Sequence, residues 1–200
     1  MNTSRHLDMG CGTIARNPYE CSEVWGCDLV DLGQSAESSN FNFVTADISK
    51  PPLPFEDNFF SSVSAFDLVE HIPRSGYLDG APYSPFISLM NEVYRILQHN
   101  GVFLASTPAF PHPAAFQDPT HVNFITDETH HYFCGNDPYA RRYGFVGSFT
   151  VRKVKREPQK NLHDHQSSDL RKWYRCLEYK FLKGGLSHLT WELTANKINR

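Results

Sequence analysis

Two glycines near the start of the chain, Gly10 and Gly12, follow a short apolar run, 6–9, that carries one acid. The run is typical of a buried strand, and the glycines are typical of a sharp turn at its carboxyl end. Glycine reaches backbone angles that other residues avoid, and it lets a ligand lie directly against the backbone. In open α/β sheets, ligands bind in the crevice beyond the strand ends. The segment therefore predicts a ligand-binding loop, although an ordinary tight turn has the same pattern.

Two further apolar runs end in an acid. Residues 24–27 lead into Asp28, and residues 41–46 lead into Asp47. Because parallel strands end at the same edge of a sheet, the glycine loop and both carboxylates are expected to converge there. Two carboxylates suit a neutral or cationic ligand whose hydroxyl and amino groups donate hydrogen bonds, and they suit a polyphosphate poorly.

Six segments between residues 5 and 108 occur in a recognisable order. They are Leu7-Asp8-Met9-Gly10-Cys11-Gly12, Gly26-Cys27-Asp28-Leu29, Ala46-Asp47-Ile48, Leu53-Pro54-Phe55-Glu56-Asp57-Asn58-Phe59, Leu68-Val69-Glu70-His71-Ile72, and Glu92-Val93-Tyr94-Arg95-Ile96-Leu97 with Gly101-Val102-Phe103-Leu104. Each segment alone is common, but the ordered series resembles the class I S-adenosylmethionine-dependent methyltransferases.

The resemblance implies S-adenosylmethionine as the cofactor. Asp28 would accept from the ribose hydroxyls, Asp47 from the adenine amino group, and Asp8 would reach the ammonium group. The implied cofactor-binding set is Asp8, Gly10, Cys11, Gly12, Asp28, Leu29, Asp47, Ile48 and Phe66. The alternative role of Asp28 and Asp47 is a helix cap or a solvated loop acid. For Asp8 the alternative is a structural acid that bonds loop amides.

Two histidines that follow the predicted fifth strand are candidates for catalysis. Methyl transfer is an in-line displacement, so most of the catalysis comes from holding the acceptor at the correct distance and angle. A general base helps when the acceptor must lose a proton, and histidine titrates near neutrality. We predict His121 as the first candidate base and His112 as the second; each could instead be hydrogen-bonded to a loop carbonyl. His71, after Glu70, is predicted to be mainly structural.

No metal site is predicted from the sequence. The adjacent residues His130 and His131 would point in different directions on a helix, and His163 and His165 have no acid at ligand spacing.

The composition is typical of a globular protein, with 200 residues, 40% hydrophobic and 20% charged. A net charge of −3 makes nucleic acid an unlikely partner. Five cysteines without a Cys-x-x-Cys pair argue against a disulfide framework and favour a reducing, cytoplasmic location. No apolar stretch is long enough for a signal peptide or a membrane span. No membrane partner is expected, and the resemblance of the region after the fifth strand to bacterial methyltransferases that modify carbohydrates or small molecules implies such a substrate as the partner.

The expected fold is α/β: a Rossmann-like, mostly parallel seven-stranded sheet with an antiparallel last strand. We expect a single methyltransferase domain over 1–200. Its first part, 1–108, would bind the cofactor, and its second part, 109–200, would contain a substrate-side loop and the C-terminal strands, with an insert at 157–186. The N-terminal helices of the family are missing, and Pro18 and the polar segment 32–40 predict shortened crossovers. A homodimer could cover the open N-terminal side.

The strongest helix signal covers residues 83–98, where apolar residues recur at helical spacing and Asn100-Gly101 is a stop signal. The other predicted elements are helices at 67–72, 126–133 and 170–183 and strands at 102–106, 148–154 and 187–195.

The sequence thus predicts a methyltransferase acting on oxygen or nitrogen of a small molecule or sugar. One alternative is a nicotinamide-dependent oxidoreductase, because Gly10, Gly12 and Ala15 fit Gly-x-Gly-x-x-Ala. Against it, Pro18 breaks the helix whose N-terminus should hold the pyrophosphate. The other alternative is a degenerate, non-catalytic methyltransferase-like domain that binds a partner.

Overall fold

A computed structural model of the chain describes residues 3–162 and 167–197. The strands in this part are β1 (Arg5–Met9), β2 (Ile14–Ala15), β3 (Glu23–Asp28), β4 (Ser35–Ala36), β5 (Phe41–Thr45), β6 (Phe60–Phe66), β7 (Gly76–Leu78), β8 (Ala81–Tyr83), β9 (Leu97–Pro108), β10 (Phe149–Glu157) and β11 (His188–Ala195). The α-helices are α1 (Pro85–Ile96), α2 (Ala114–Gln117), α3 (Gln159–Leu162) and α4 (Asp169–Leu182), and the 3-10 helices are Val69–His71, Thr129–Phe133 and Tyr139–Tyr143.

The main sheet has seven strands in the order β10-β11-β9-β6-β1-β3-β5. Neighbouring strands from β9 to β5 are parallel, whereas β11 is antiparallel to both of its neighbours. This arrangement confirms the predicted Rossmann-like methyltransferase sheet with its antiparallel last strand. The carboxyl ends of β1, β3 and β6 consequently lie side by side at one edge.

The central strands are buried on both faces. Leu7 and Met9 of β1 on one face, and His6 and Asp8 on the other, have no exposed surface. A parallel strand covered on both sides is usually apolar throughout, and the two buried polar side chains of β1 are instead hydrogen-bonded to serines of β6.

The crossover between β1 and β3 contains no helix. Residues 13–22 instead contain only the two-residue strand β2, which pairs in parallel with β4 in the following loop. This confirms the expectation from Pro18 and the polar segment 32–40 that both crossovers are short.

Helix α1 connects β6 to β9 and buries Leu89, Val93 and Ile96 against the sheet. Proline is well tolerated at the first helical position, where its missing N–H has no helical partner. The predicted carboxyl end, at Asn100-Gly101, was wrong: the helix ends at Ile96, and Leu97 already pairs with Phe60 in the sheet. The predicted strand at 102–106 therefore extends over 97–108.

The remaining elements agree with the sequence pattern except at their ends. The predicted strands at 148–154 and 187–195 are β10 and β11, and the predicted helix at 170–183 is α4. The expected helices at 67–72 and 126–133 are short 3-10 helices. His163 and His165, in the predicted insert, lie outside the described residues. With 14 residues, α4 is the longest helix in the described part, which is shorter than a bilayer crossing requires.

Candidate active site

The turn after β1 presents bare backbone at the edge of the sheet. Gly10 and Gly12 have φ values of +63° and +60°, in the left-handed region that favours glycine. A Cβ at Gly10 would lie 2.8 Å from Leu68 Cδ1, whereas a Cβ at Gly12 would meet nothing within 4 Å. Between them, Cys11 is buried, and burial raises the pKa of its thiol to about 12. The loop thus offers backbone rather than a reactive sulfur to a ligand.

Asp28, at the end of β3, fixes this loop. Its Oδ2 accepts from the Gly12 amide at 2.9 Å, and its Oδ1 accepts from the Leu29 amide at 2.7 Å. The side chain is half-buried, and each carboxylate oxygen can accept a second hydrogen bond. Asp28 is therefore placed to hold both the glycine loop and the hydroxyl groups of a ligand.

Asp47 is more strongly engaged within its own loop. Its Oδ1 accepts from the Ser49 amide and hydroxyl, and its Oδ2 pairs with Lys50 Nζ at 3.0 Å. Burial alone would raise the pKa of Asp47, but these hydrogen bonds hold it below its usual value. Of the three apolar residues predicted to bind the cofactor, Ile48 and Phe66 are buried and Leu29 is largely exposed.

Asp8 lies completely buried beneath the glycine loop. Its Oδ1 accepts from Ser64 Oγ at 2.7 Å and its Oδ2 from the Arg16 amide at 2.8 Å. Burial raises its pKa to about 6. With both oxygens engaged away from solvent, the geometry favours the structural role for Asp8 over direct contact with an ammonium group.

Arg16 is a candidate binding residue that the sequence reasoning missed. Its guanidinium lies 4.5 Å over the ring of Phe66, at the end of β6, and its Nη1 is buried without a hydrogen-bond partner in the described part of the chain. A buried guanidinium nitrogen is costly to leave unpaired, and a carboxylate is its strongest partner. The amino acid end of S-adenosylmethionine carries such a carboxylate, so the site fits this cofactor. A single arginine in a loop gave no usable sequence signal.

A cavity of about 520 Å³ opens beyond the carboxyl ends of β6 and β9. Its lining is rich in acids and histidines, and consists of Asp67, Glu70, His71, Pro108, Ala114, Gln117, Asp118, Pro119, His121, Gln159 and His188. His188 is not available to a ligand without rearrangement, because its ring nitrogens contact Asp67 Oδ1 and Ser187 Oγ at 2.9 and 2.8 Å.

Glu70 is the buried acid of this cavity, with 1% of its surface exposed. Its Oε2 accepts from Thr107 Oγ1 at 2.8 Å. Its Oε1 is buried and has no hydrogen-bond partner on another described residue. Burial raises the pKa of Glu70 to about 7.

The rings of His71 and His121 lie beside Glu70, with centroids 4.7 Å apart. His71 Nδ1 lies 2.9 Å from Thr120 Oγ1, whose own hydrogen is donated to Asp118 Oδ1. His121 Nδ1 lies 3.2 Å from the carbonyl of Ala115. Because both partners can only accept there, each Nδ1 carries the proton and each Nε2 keeps a lone pair.

The segment that carries His121 is fixed to the 3-10 helix that carries Glu70 and His71. The amides of Val122 and Asn123 donate to the Glu70 carbonyl at 2.8 and 3.0 Å. Asn123 Nδ2 also donates to the carbonyls of Val69 and Ile72, at 3.0 and 2.6 Å. Asn123 is therefore a positioning residue, and only the folded structure shows its role.

Of the two predicted bases, the structure brings only His121 to the cavity. His112 is not part of the lining, and its Nδ1 accepts from the Ala114 amide at 3.1 Å. This is the role of a hydrogen-bonded loop histidine. The sequence reasoning on metals considered other histidines and missed that donor atoms of Glu70, His71 and His121 lie within 4.8 Å of one another.

Residues 7–105 match the family model described as a methyltransferase domain. The chain carries a class I S-adenosylmethionine-dependent methyltransferase domain. No curated protein gave a significant match. The nicotinamide alternative fails because β1 is followed by β2 instead of the helix that should hold a pyrophosphate.

Solved structures share the fold of this methyltransferase at low sequence identity. A methyltransferase from Mesorhizobium loti that depends on S-adenosylmethionine has a TM-score of 0.58 at 16% identity, over 95% of this chain and 90% of that one. A second such methyltransferase, from Archaeoglobus fulgidus, has a TM-score of 0.55 at 16% identity, over 96% of this chain and 86% of that one. A structure of a complex between the Haloferax volcanii Trm112 methyltransferase activator and a protein designated a methyltransferase has a TM-score of 0.62 at 13% identity, over 99% of this chain and 84% of the matched one.

We predict that Arg16 and Asp28 contribute to different parts of cofactor binding. Arg16→Met should weaken binding of S-adenosylhomocysteine about tenfold to a hundredfold, because a charge-assisted hydrogen bond is lost. It should leave binding of methylthioadenosine, which lacks the carboxylate, unchanged. Asp28→Ala should weaken both ligands, since both contain the ribose. Calorimetric titration of each variant with each ligand measures this, and equal losses for both ligands in Arg16→Met would remove Arg16 from the site.

We also predict a pH signature of Asp8. Its pKa is 3.8 in the unfolded chain and about 6 in the folded one, so the folded state binds more protons in that range and stability falls as pH rises through it. His6, whose pKa burial lowers to about 3, acts in the opposite direction and masks the effect. Relative to the parent, the free energy of unfolding of Asp8→Asn should therefore rise by about 3 kcal/mol between about pH 4 and 6.

Urea denaturation of both proteins across this range measures the difference. Asp31→Asn, at an exposed loop acid, is the matched control and should run parallel to the parent. A parallel curve for Asp8→Asn would show that Asp8 titrates normally.

Proposed function

We propose that this methyltransferase transfers a methyl group to an oxygen or nitrogen of a small molecule or sugar bound in the cavity beyond β6. The observation that supports this is the position of the cavity: Asp67, in its lining, directly follows Phe66, against which Arg16 is packed. The cavity and the cofactor-binding loop therefore adjoin at the same sheet edge.

The size and lining of the cavity suit such an acceptor. A volume of about 520 Å³ lies in the range of small-molecule sites. Its acids and histidines accept hydrogen bonds from hydroxyl or amino groups and would repel phosphates, which makes a nucleic acid substrate unlikely.

The chain contributes binding, orientation and a proton acceptor. S-adenosylmethionine, when bound, supplies an electrophilic methyl group whose sulfur leaves as the neutral thioether. The glycine loop, Asp28 and Arg16 would hold its amino acid and ribose ends. His121 lines the cavity, and because its Nδ1–H is donated to the Ala115 carbonyl, Nε2 is the ring nitrogen that would accept a proton. It would take the proton that a hydroxyl acceptor loses during transfer, or the proton that an ammonium group must lose before its nitrogen can attack.

We predict that His121→Ala lowers turnover about a hundredfold or more while cofactor affinity stays nearly unchanged. His112→Ala should have a much smaller effect, since His112 is not part of the cavity lining. The assay follows transfer of a labelled methyl group to panels of sugars, amines and hydroxylated small molecules. Turnover of His121→Ala equal to that of the parent would remove His121 as the base, and transfer to none of the panels would count against this acceptor class.

We further propose that a second copy of the chain covers the cofactor side. Four apolar side chains near the glycine loop are more than half exposed: Ile14, Leu29, Val30 and Leu32. The Haloferax complex makes an activator protein the other occupant to consider.

The expected result is a dimer by analytical ultracentrifugation that Leu32→Glu converts to a monomer. Leu170→Glu, at the start of α4 and outside this apolar group, is the matched control and should remain dimeric, because Leu170 is 75% exposed and Leu32 is 64% exposed. A parent chain that is monomeric at micromolar concentration would point to a different partner.

Two further proposals concern the whole chain. Its free cysteines support our proposal of a cytoplasmic protein, and its single main sheet supports our proposal of one domain over 1–200.

A further inference from the structure

We propose that Glu70, His71 and His121 bind a divalent transition-metal ion inside the cavity. One donor atom from each residue lies within 4.8 Å of the other two. Ligands about 2.1 Å from an ion are roughly 3–4 Å apart, so small side-chain rotations close the site.

Glu70 supplies the observation that points to a ligand rather than to a chance grouping. The side chain is 1% exposed, and its Oε1 is buried with no hydrogen-bond partner on another described residue. Apart from the amide of Glu70 itself, the described residues offer this carboxylate only the Thr107 hydroxyl, so its burial costs free energy that a bound cation would offset. A cation between Glu70 and the two imidazoles supplies the missing partner.

The two histidines are already in the form that a metal requires. Metal-binding histidines usually donate their second ring N–H to a carbonyl or carboxylate, which fixes the ring and directs the other nitrogen to the ion. His121 donates to the Ala115 carbonyl. His71 donates to Thr120 Oγ1, which donates to Asp118. With each Nδ1 engaged in this way, Nε2 is the nitrogen that would coordinate the ion.

The backbone holds the three ligands together without an ion. Asn123 connects its segment to the carbonyls of Val69 and Ile72, on either side of Glu70 and His71. Arg74 Nε also donates to the Val122 carbonyl, next to His121. The carboxylates of Asp67 and Asp118 in the same cavity add negative charge that attracts a cation.

The donor set selects the class of ion. Two imidazole nitrogens and one carboxylate oxygen suit Zn²⁺, Fe²⁺, Co²⁺ or Mn²⁺ better than Mg²⁺ or Ca²⁺, which prefer oxygen ligands. Three protein ligands leave at least one position open, which is the arrangement of a catalytic rather than a structural site. Because the three residues line the cavity, the open position faces the space proposed for the acceptor.

The consequence for catalysis, unlike the binding of the ion, depends on the proposed function. With an ion in place, His121 Nε2 is a ligand and no longer the proton acceptor. The open position would orient an acceptor oxygen and lower the pKa of its hydroxyl, so that its proton leaves to solvent. The proposal thus favours a hydroxyl over an amine as the methyl acceptor.

The direct test is titration of the chelator-treated protein with Co²⁺, followed by visible absorption and by calorimetry. The parent should bind a single equivalent in this site, and a large excess of Mg²⁺ should not displace it. Thr120→Val, which removes the partner of His71 Nδ1, should weaken binding about tenfold to a hundredfold. Glu70→Gln and His71→Ala remove ligands and should weaken it further.

His99→Ala is the matched control, because His99 is exposed and far from the cavity in sequence and fold. It should bind Co²⁺ like the parent, and the circular dichroism of every variant should match the parent so that unfolding is not mistaken for lost binding. Failure of the parent to bind, or equal binding by the parent and His71→Ala, would overturn the proposal.

Activity assays separate this proposal from the proposed function. If the parent binds Co²⁺ through these residues and methyl transfer stops with chelator and returns with the ion, the metal site and the proposed acceptor class both stand, and His121 acts as a ligand instead of as the base. Binding without methyl transfer to any hydroxylated or amine acceptor leaves the metal site and removes the acceptor class. Methyl transfer that is unaffected by chelator, in a protein that does not bind Co²⁺, leaves the proposed function and overturns the metal site.

Discussion

The buried carboxylate of Asp8 is the interaction on which the cofactor side of the molecule depends. It accepts from Ser64 on the neighbouring strand and from the amide of Arg16 at the far end of the glycine loop. A loop with no following helix has few backbone partners of its own, so these bonds replace those that a helix would provide. Burial of Asp8 disfavours its charged form and so raises its pKa, although the same buried position lets it hold the loop through two hydrogen bonds.

A second set of bonds organises the opposite side of the same sheet edge. Backbone amides and the Asn123 side chain fix residues 121–123 to the turn that follows β6. These hydrogen bonds bring the ionisable side chains of the cavity together, because Glu70 and His71 come from one segment and His121 from another. Asp8 therefore fixes the loop that we propose binds the cofactor, and Asn123 holds together the side chains that line the proposed acceptor cavity.

The shortened crossovers leave an apolar surface beside the cofactor-binding loop. The loops that replace helices between β1 and β5 leave apolar side chains such as Leu29 and Leu32 exposed beside the cofactor-binding loop. Isolated exposed apolar residues are common, but a group of them beside a functional loop usually marks a contact surface. A small methyltransferase built in this way is expected to complete its site with a partner.

The family resemblance implied the mostly parallel seven-stranded sheet, and only the structure gives its strand order. The sequence by itself determined the glycine loop and the acids at the strand ends. These features follow from local properties: apolar runs, glycine backbone freedom and the position of proline. The end of α1 was misjudged because pairing of Leu97 with Phe60 overrides the local stop signal at Asn100. Only the tertiary structure decided that Asp8 is buried, that Arg16 Nη1 has no hydrogen-bond partner among the described residues, and that Glu70, His71 and His121 meet. Such contacts join residues far apart in the chain, and no local pattern encodes the distance between them.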